Sequence, residues 1–299
     1  MRFLFVDRIL QLTPGQIVRG VKQITLEDSY LCHDEQGRLC FIPSLIGEAL
    51  GQLAAWNVMF SNDFTLRPVA GLASSAKLFR PVYVGEVLRL ESIIDSLDET
   101  AVQYHSVARV ADEVVFTIDG ALGPLLPMDD FIEAEVVRRQ FAAIDRPGDW
   151  PPTVQMQAQS LAEPSLPTVP MVFDNILESK PGVSLCAEKR IDPQAPYFPD
   201  HFPKKPVLPM TVLLECKLNL ARDFVSQAGF SKHYQVSELR KIKMKDFVVP
   251  GSVLICQVSV KHHDEQELIL SFRSEVDGKR VCVVEVVMKE NIASLGGGR

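Results

Sequence analysis

The sequence predicts an α+β protein made of two tandem units, each an antiparallel sheet wrapped around one long helix. Three observations predict this. The chain repeats itself from end to end, each half holds one long apolar run of helical length, and the rest of each half is β-rich with Pro-Gly or Asp-Gly turns.

The repeat is the strongest of the three. Asp7-Arg8-Ile9-Leu10, followed by Pro14-Gly15, returns as Asp174-Asn175-Ile176-Leu177, followed by Pro181-Gly182. At the same spacing of 167 residues Ile24 answers Ile191, Tyr30 answers Tyr197 and Glu48 answers Glu215. Further on, at a spacing of 166, Val82-Tyr83-Val84-Gly85 answers Val248-Val249-Pro250-Gly251. Scattered apolar matches between unrelated segments would not hold turn glycines and a helix carboxylate in one register.

The halves read alike, element by element. An opening segment ends at the Pro-Gly turn. A strand follows, over residues 18–24 and 184–191, then a loop, then the helix, over residues 43–60 and 209–227. Both helices are apolar on nearly all sides, as in Met210-Thr211-Val212-Leu213-Leu214, so each must be enclosed by other structure. Three strands complete each unit. In the second they fall at 237–247, 252–262 and 267–288, the last broken by the hairpin signal Val276-Asp277-Gly278-Lys279. Prolines at 147, 151, 152, 164 and 167 among polar residues mark a linker over 143–168. The units are therefore 1–142 and 169–292, and a disordered tail containing Gly296-Gly297-Gly298 is expected over 293–299.

Composition narrows the function classes. With 46% hydrophobic and 23% charged residues the chain can bury a sizeable core. A net charge of −7 argues against wholesale nucleic-acid binding. No apolar run is long enough to span a membrane, and Asp7-Arg8 interrupts the start too soon for a signal peptide. The six cysteines, at 32, 40, 186, 216, 256 and 282, form no CxxC pair and lie in apolar surroundings, so a cytoplasmic protein with reduced thiols is expected. His262-His263-Asp264 lacks metal-site spacing and reads as a solvated strand end, so no metal is expected.

The chemistry concentrates in Asp200-His201-Phe202-Pro203-Lys204-Lys205-Pro206-Val207-Leu208-Pro209. One histidine sits on a proline-stiffened loop that runs into the second helix, which carries Glu215. Histidine titrates near pH ~6.5 and can take a proton at neutrality. A carboxyl on an apolar helix is desolvated, which favours the neutral acid and lets it donate.

These residues resemble the active-site motif of the 3-hydroxyacyl-acyl-carrier-protein dehydratases of fatty acid synthesis, which have the hot-dog fold. The likeness rests on His201-Phe202-Pro203-x-x-Pro206-Val207-x-Pro209 with Glu215, and on Lys245-Asp246-Phe247-Val248-Val249-Pro250-Gly251. The first half is similar at Phe5-Val6-Asp7-Arg8-Ile9-Leu10, Glu48-Ala49-Leu50-Gly51-Gln52 and Lys77-Leu78-Phe79-Arg80-Pro81-Val82. The resemblance implies two tandem hot-dog domains forming an internal pseudo-dimer, and it leaves further association of whole chains open. Two positions depart from the family: Met210 and Asp200 stand where relatives carry glycine.

The halves have lost complementary parts. Where the second half has His201, the first has Asp34, with His33 one residue out of register and no prolines beside it. The helix motif is family-like in the first half, Glu48-Ala49-x-x-Gln52, and altered in the second, Glu215-Cys216-x-x-Asn219. In the family a site takes its histidine from one copy and its carboxylate from the other. The resemblance therefore pairs His201, as base, with Glu48, as acid, and leaves Glu215 with Asp34 or His33 as a vestigial site. Gln52, one turn after Glu48, would orient it. The backbone N–H at Met210, at the start of the helix, would meet negative charge developing on a thioester oxygen. The implied reaction is dehydration of a 3-hydroxyacyl thioester, with no cofactor beyond the phosphopantetheine that carries the substrate. Lys204 and Lys205, and Lys241, Lys243 and Lys245 on one strand face, offer a basic surface to an acyl carrier protein, with a coenzyme A thioester as the alternative substrate. A hot-dog thioesterase and a non-catalytic acyl-thioester binder in a synthase assembly are the rival readings.

Overall fold

A computed structural model of the chain describes residues 2–151, 169–230 and 233–290. The first half begins with a hairpin, β1 (Arg8–Thr13) and β2 (Ile17–Gln23), and a small separate one, β3 (Leu31–His33) and β4 (Leu39–Phe41). Then come α1 (Pro43–Ser61), β5 (Leu66–Pro68), β6 (Leu72–Leu78), β7 (Val87–Leu97), β8 (Ala101–Val110), β9 (Glu113–Pro127) and α2 (Ala134–Ile144). The second half runs β10 (Asn175–Lys180), β11 (Ser184–Arg190), α3 (Met210–Ala228), β12 (Tyr234–Met244), β13 (Val253–His263), β14 (Glu267–Val276) and β15 (Lys279–Glu290).

The repeat in the sequence is a repeat in space. The strands form one antiparallel sheet in the order β1-β2-β7-β8-β9-β6-β12-β15-β14-β13-β11-β10, with β5 added on β9. The order is the same read from either end, and the halves meet where β6 pairs β12, Lys77 opposite Glu238 and Leu72 opposite Lys243. Both long helices have 19 residues. The β1–β2 and β10–β11 pairs even share a register shift at matching places, Ile9/Gln11 and Ile176/Glu178. Helices α1 and α3 touch each other and fill the space on the sheet. On α1, Leu45, Ile46, Ala49, Leu50 and Leu53 are fully buried, and on α3 so are Leu213, Cys216 and Ala221. Gly20 permits the close crossing of β2 over α1, since a Cβ there would lie 2.8 Å from the Arg8 carbonyl oxygen and 2.9 Å from Leu53. This is the expected α+β hot-dog architecture in tandem, with the helix starts at Pro43 and Met210 where Pro43 and Pro209 mark them.

Four findings differ from expectation or extend it. The opening segments are edge strands, β1 and β10, too short and polar to announce themselves. Helix α2 was not anticipated; it buries Val137 and Phe141, one turn apart, and Phe141 stacks on Phe60 at 5.1 Å. Residues 145–148, inside the expected linker, are bonded to the first half. The Arg146 N–H donates to the Ile9 carbonyl and the Gly148 N–H to that of Leu10, both at 3.1 Å, covering the open edge of β1. Residues 152–168 and the tail 293–299 lie outside the described residues. Finally, Lys241 and Lys243 are both exposed on either side of the buried Ile242, but the three lysines do not lie on one regular strand. Lys241 has φ +53° in a bulge between Arg240 and Lys243, which interrupts the regular pairing, and β12 ends at Met244, before Lys245. All six cysteines are free thiols, with Cys32 and Cys40 opposed across β3–β4 at 3.6 Å. Among the described residues no helix is long and apolar enough to cross a membrane.

Candidate active site

The loop between β11 and α3 is held by its own backbone. The His201 N–H donates to the Tyr197 carbonyl at 2.8 Å, and the Val207 N–H donates to the His201 carbonyl at 3.2 Å. Pro203, Pro206 and Pro209 restrict φ and keep the segment from extending as a strand. The His201 ring lies between Phe202, stacked at 4.1 Å, and the edge of Phe3 at 5.8 Å. Its Nδ1 is 3.0 Å from the Val207 carbonyl oxygen. A carbonyl only accepts, so Nδ1 carries the proton and Nε2 is the unprotonated nitrogen of the neutral ring.

The carboxylate comes from the other half. Glu48 projects from α1, and both of its oxygens are engaged. Gln52 donates to Oε1 at 3.0 Å, and the Thr211 hydroxyl, from the first turn of α3, donates to Oε2 at 2.6 Å. Gln52 also ties down the amino-terminal segment, donating to the Phe3 carbonyl at 3.1 Å and accepting from the Phe5 N–H at 2.8 Å. The Phe3 N–H in turn donates to the Asp200 carboxylate at 2.7 Å, next to His201. One continuous network, Asp200–Phe3–Gln52–Glu48–Thr211, therefore links the histidine loop of the second half to the glutamate helix of the first. Asp200 anchors it through the Phe3 N–H.

His201 and Glu48 line the same cavity, of about 420 Å³. Its walls are mostly apolar, with Trp56, Met59 and Leu122 toward the first half and Leu214, Leu218 and Ile242 toward the second. Desolvation by burial holds the His201 imidazole below its ordinary value of 6.5; the Glu48 carboxylate opposes this and the Arg67 guanidinium adds to it. Burial, with Glu48 nearby, pushes the Tyr104 hydroxyl on the wall up to about 12. Met210 and Thr211, at the start of α3, also line the cavity, and no side chain caps that helix. Its first N–H groups and the positive end of its dipole are therefore available to a negative oxygen.

The equivalent position in the other half is closed. Glu215 is 3% exposed; its Oε2 accepts the backbone N–H of Ser44, in the first turn of α1, at 3.1 Å, and Arg222 approaches Oε1 at 3.5 Å. The carboxylate that matches Glu48 is thus spent on capping a helix. Asp34 is bound in its own turn. Burial would raise its pKa, but hydrogen bonds from the Arg38 and Gln36 backbone and the Tyr83 and Arg38 side chains hold it below the usual carboxylate range. His33 is exposed at the end of β3 and does not line the cavity. The structure therefore brings together His201, Glu48, Gln52 and Met210, and leaves Glu215, Asp34 and His33 apart from them.

The lysines fall into two groups. Lys204 pairs with Glu133 at 2.5 Å and bonds the Asp129 carbonyl at 3.1 Å, so it joins the halves. Lys241 pairs with Glu285 at 3.1 Å. Lys205, Lys243 and Lys245 are exposed, and Lys245 stands on the cavity rim beside Asp246 and Phe247. Sequence reasoning missed Thr211, Arg67 and the strap through Phe3. A signal for Thr211 existed, since Ser44 stands at its repeat position and preserves a hydroxyl there.

Comparison with known proteins bears on the fold and on the second half of the chain. Residues 166–285 match the FabA-like domain family model. The 3-hydroxyacyl-[acyl-carrier-protein] dehydratase FabZ of Shewanella woodyi is 28% identical over 121 residues, covering 39% of this chain and 80% of that protein. Among solved structures, a MaoC-like dehydratase aligns with a TM-score of 0.56 and 10% identity over 93% of this chain and 98% of that one. The 12:0-ACP thioesterase of Umbellularia californica aligns at 0.52 and 11%, over 92% and 94%. At such identities these structures speak to fold alone. The protein is an α+β hot-dog protein in tandem form. Its second half is similar to the FabA-like domain and to FabZ dehydratases.

Proposed function

We propose that the protein dehydrates 3-hydroxyacyl thioesters to trans-2-enoyl thioesters, at one site assembled from its two halves, on substrate carried by an acyl carrier protein. The observation that carries this reading is the shared cavity. His201 from the second half and Glu48 from the first line it, while Glu215, the repeat partner of Glu48, is buried against a helix end. The FabZ relatives support the reaction class.

In this mechanism Nε2 of His201 removes the hydrogen on the carbon next to the thioester carbonyl. Charge developing on the thioester oxygen is met by the free N–H groups of α3 after Pro209. Glu48 delivers a proton to the departing hydroxyl, which leaves as water. The Gln52 amide N–H on Oε1 can only donate, whereas the Thr211 hydroxyl on Oε2 can turn to accept, so that proton belongs on Oε2. The chemistry asks for a base, an acid and oxyanion donors, and no metal or redox cofactor enters it. Lys205, Lys243 and Lys245 supply positive charge near the rim for an acidic carrier in the cytoplasm.

The test presents 3-hydroxyacyl carrier protein and the matching coenzyme A thioester to the wild-type protein, following enoyl absorbance and free thiol together. Enoyl formation without thiol release is the expected result. Thiol release without enoyl product would identify a thioesterase, and tight binding with neither product would identify a binder.

A further inference from the structure

Among the charged groups that line the cavity, Arg67 is one that the dehydration chemistry leaves unused. Arg67 lies in β5, within Leu66-Arg67-Pro68, and lines the cavity together with His201 and Glu48. Its guanidinium carbon stands 3.7 Å from the centre of the Phe202 ring and 5.6 Å from that of Phe131. The rings occupy the flat face of the group, and its N–H edge remains for hydrogen bonding. Yet Nε is fully buried and has no partner. Among the described residues no carboxylate forms an ion pair with this arginine. Burial pushes the guanidinium down to about 9, against the pull of Glu48, so it remains a cation at neutral pH. This cation belongs to the cavity that His201 and Glu48 line.

Arg67 as a whole is half-buried, but a buried donor without a partner is costly, and buried polar groups in folded proteins are nearly always paired. The part of the guanidinium that faces the cavity can take its partner from a ligand. An alkyl chain cannot supply it. Neutral amide carbonyls of a pantetheine arm accept hydrogen bonds but do not offset the charge. A carboxylate does both, and its two oxygens match the guanidinium fork. We propose that Arg67 is the subsite for a second carboxylate on the acyl chain, making the preferred substrate an ω-carboxylated 3-hydroxyacyl thioester rather than a methyl-ended one. The substrate assignment rests on the dehydratase reading above, but the carboxylate preference is measurable without turnover.

The test is calorimetric binding of unreactive acyl-pantetheine amides to the full chain, in a series of chain lengths, each length made with a carboxylate end and a methyl end. At the length that reaches Arg67 the wild type should bind the carboxylate about 10- to 100-fold more tightly, the size of a hydrogen-bonded charge pair. Arg67→Met should abolish or invert that preference, and Arg67→Lys should retain part of it. Equal or tighter binding of the methyl-ended ligand at every length, binding of neither, or an unchanged ratio in Arg67→Met would each overturn the proposal. Should Arg67→Met fail to fold, the wild-type comparison decides alone. Because the probes cannot be dehydrated, a failure here is distinct from a failure of the enoyl assay.

Discussion

Replacing Glu215 by Ala should cost stability and spare turnover. The carboxylate accepts the Ser44 N–H in the first turn of α1, an interaction of the helix-capping kind worth about 1 kcal/mol, with a range of roughly 0.5–2. Its ion pair with Arg222 is long, at 3.5 Å, and the arginine side chain is 44% exposed, so solvent screening limits that contribution to about 0–1 kcal/mol. The sum is about 1–2 kcal/mol, or a fall in melting temperature of roughly 2–8 °C by the scaling for large domains. Urea unfolding and thermal melts give the stability, and enoyl formation measured well below the melt gives the rate. Glu215→Gln, which keeps an acceptor for Ser44, should lose less stability and also keep most of its turnover. If Glu215→Ala instead melts like wild type and forms no enoyl product, Glu215 is a catalyst and the helix-cap account fails.

Three further outcomes follow from the same geometry. His201 must be neutral to act as base, and burial lowers its pKa, so the acid limb of kcat/KM should lie below pH 6.5; a limb above that value would contradict the burial effect. The same lowering ties His201 to stability: the unfolded ring takes a proton first, so its contribution is full above 6.5 and is lost as pH falls from there through the folded value, a loss absent in His201→Ala. Thr211→Val removes the hydroxyl on Glu48 and should lower kcat about 5- to 30-fold, with recovery in Thr211→Ser, for a hydrogen bond of about 1–2 kcal/mol; an unchanged kcat would show that Glu48 needs no such partner. Charge reversal at Lys243 and Lys245 should weaken carrier-protein binding at low salt more than reversal of Lys241, which is already paired with Glu285; equal effects at all three would contradict that distinction.

The fold was legible because the repeat holds register through Pro-Gly turns, and because prolines open both long helices, at Pro43 and Pro209. The proposed pairing of His201 with Glu48 rests on which half kept which motif, and the two residues line one cavity. What stayed hidden depends on contacts between distant segments. Thr211 reads as an ordinary helix residue until α3 meets α1. Asp200 reads as an odd replacement of glycine until the Phe3 N–H arrives from 197 residues away. The bulge at Lys241 interrupts the regular strand that simple alternation assumes, and α2 is too short and too charged to stand out before Phe141 finds Phe60 and Trp56.

The central claim is that one site spans the two halves, and Glu48 is its most exposed point. Its most direct measurement is the single-turnover rate of enoyl-thioester formation by Glu48→Gln against wild type. Gln keeps the shape of the side chain and an acceptor oxygen for Gln52 but cannot supply the proton, so the rate should fall about 10²- to 10⁴-fold, as for loss of a general acid. A Glu48→Gln protein that turns over at the wild-type rate would contradict the account.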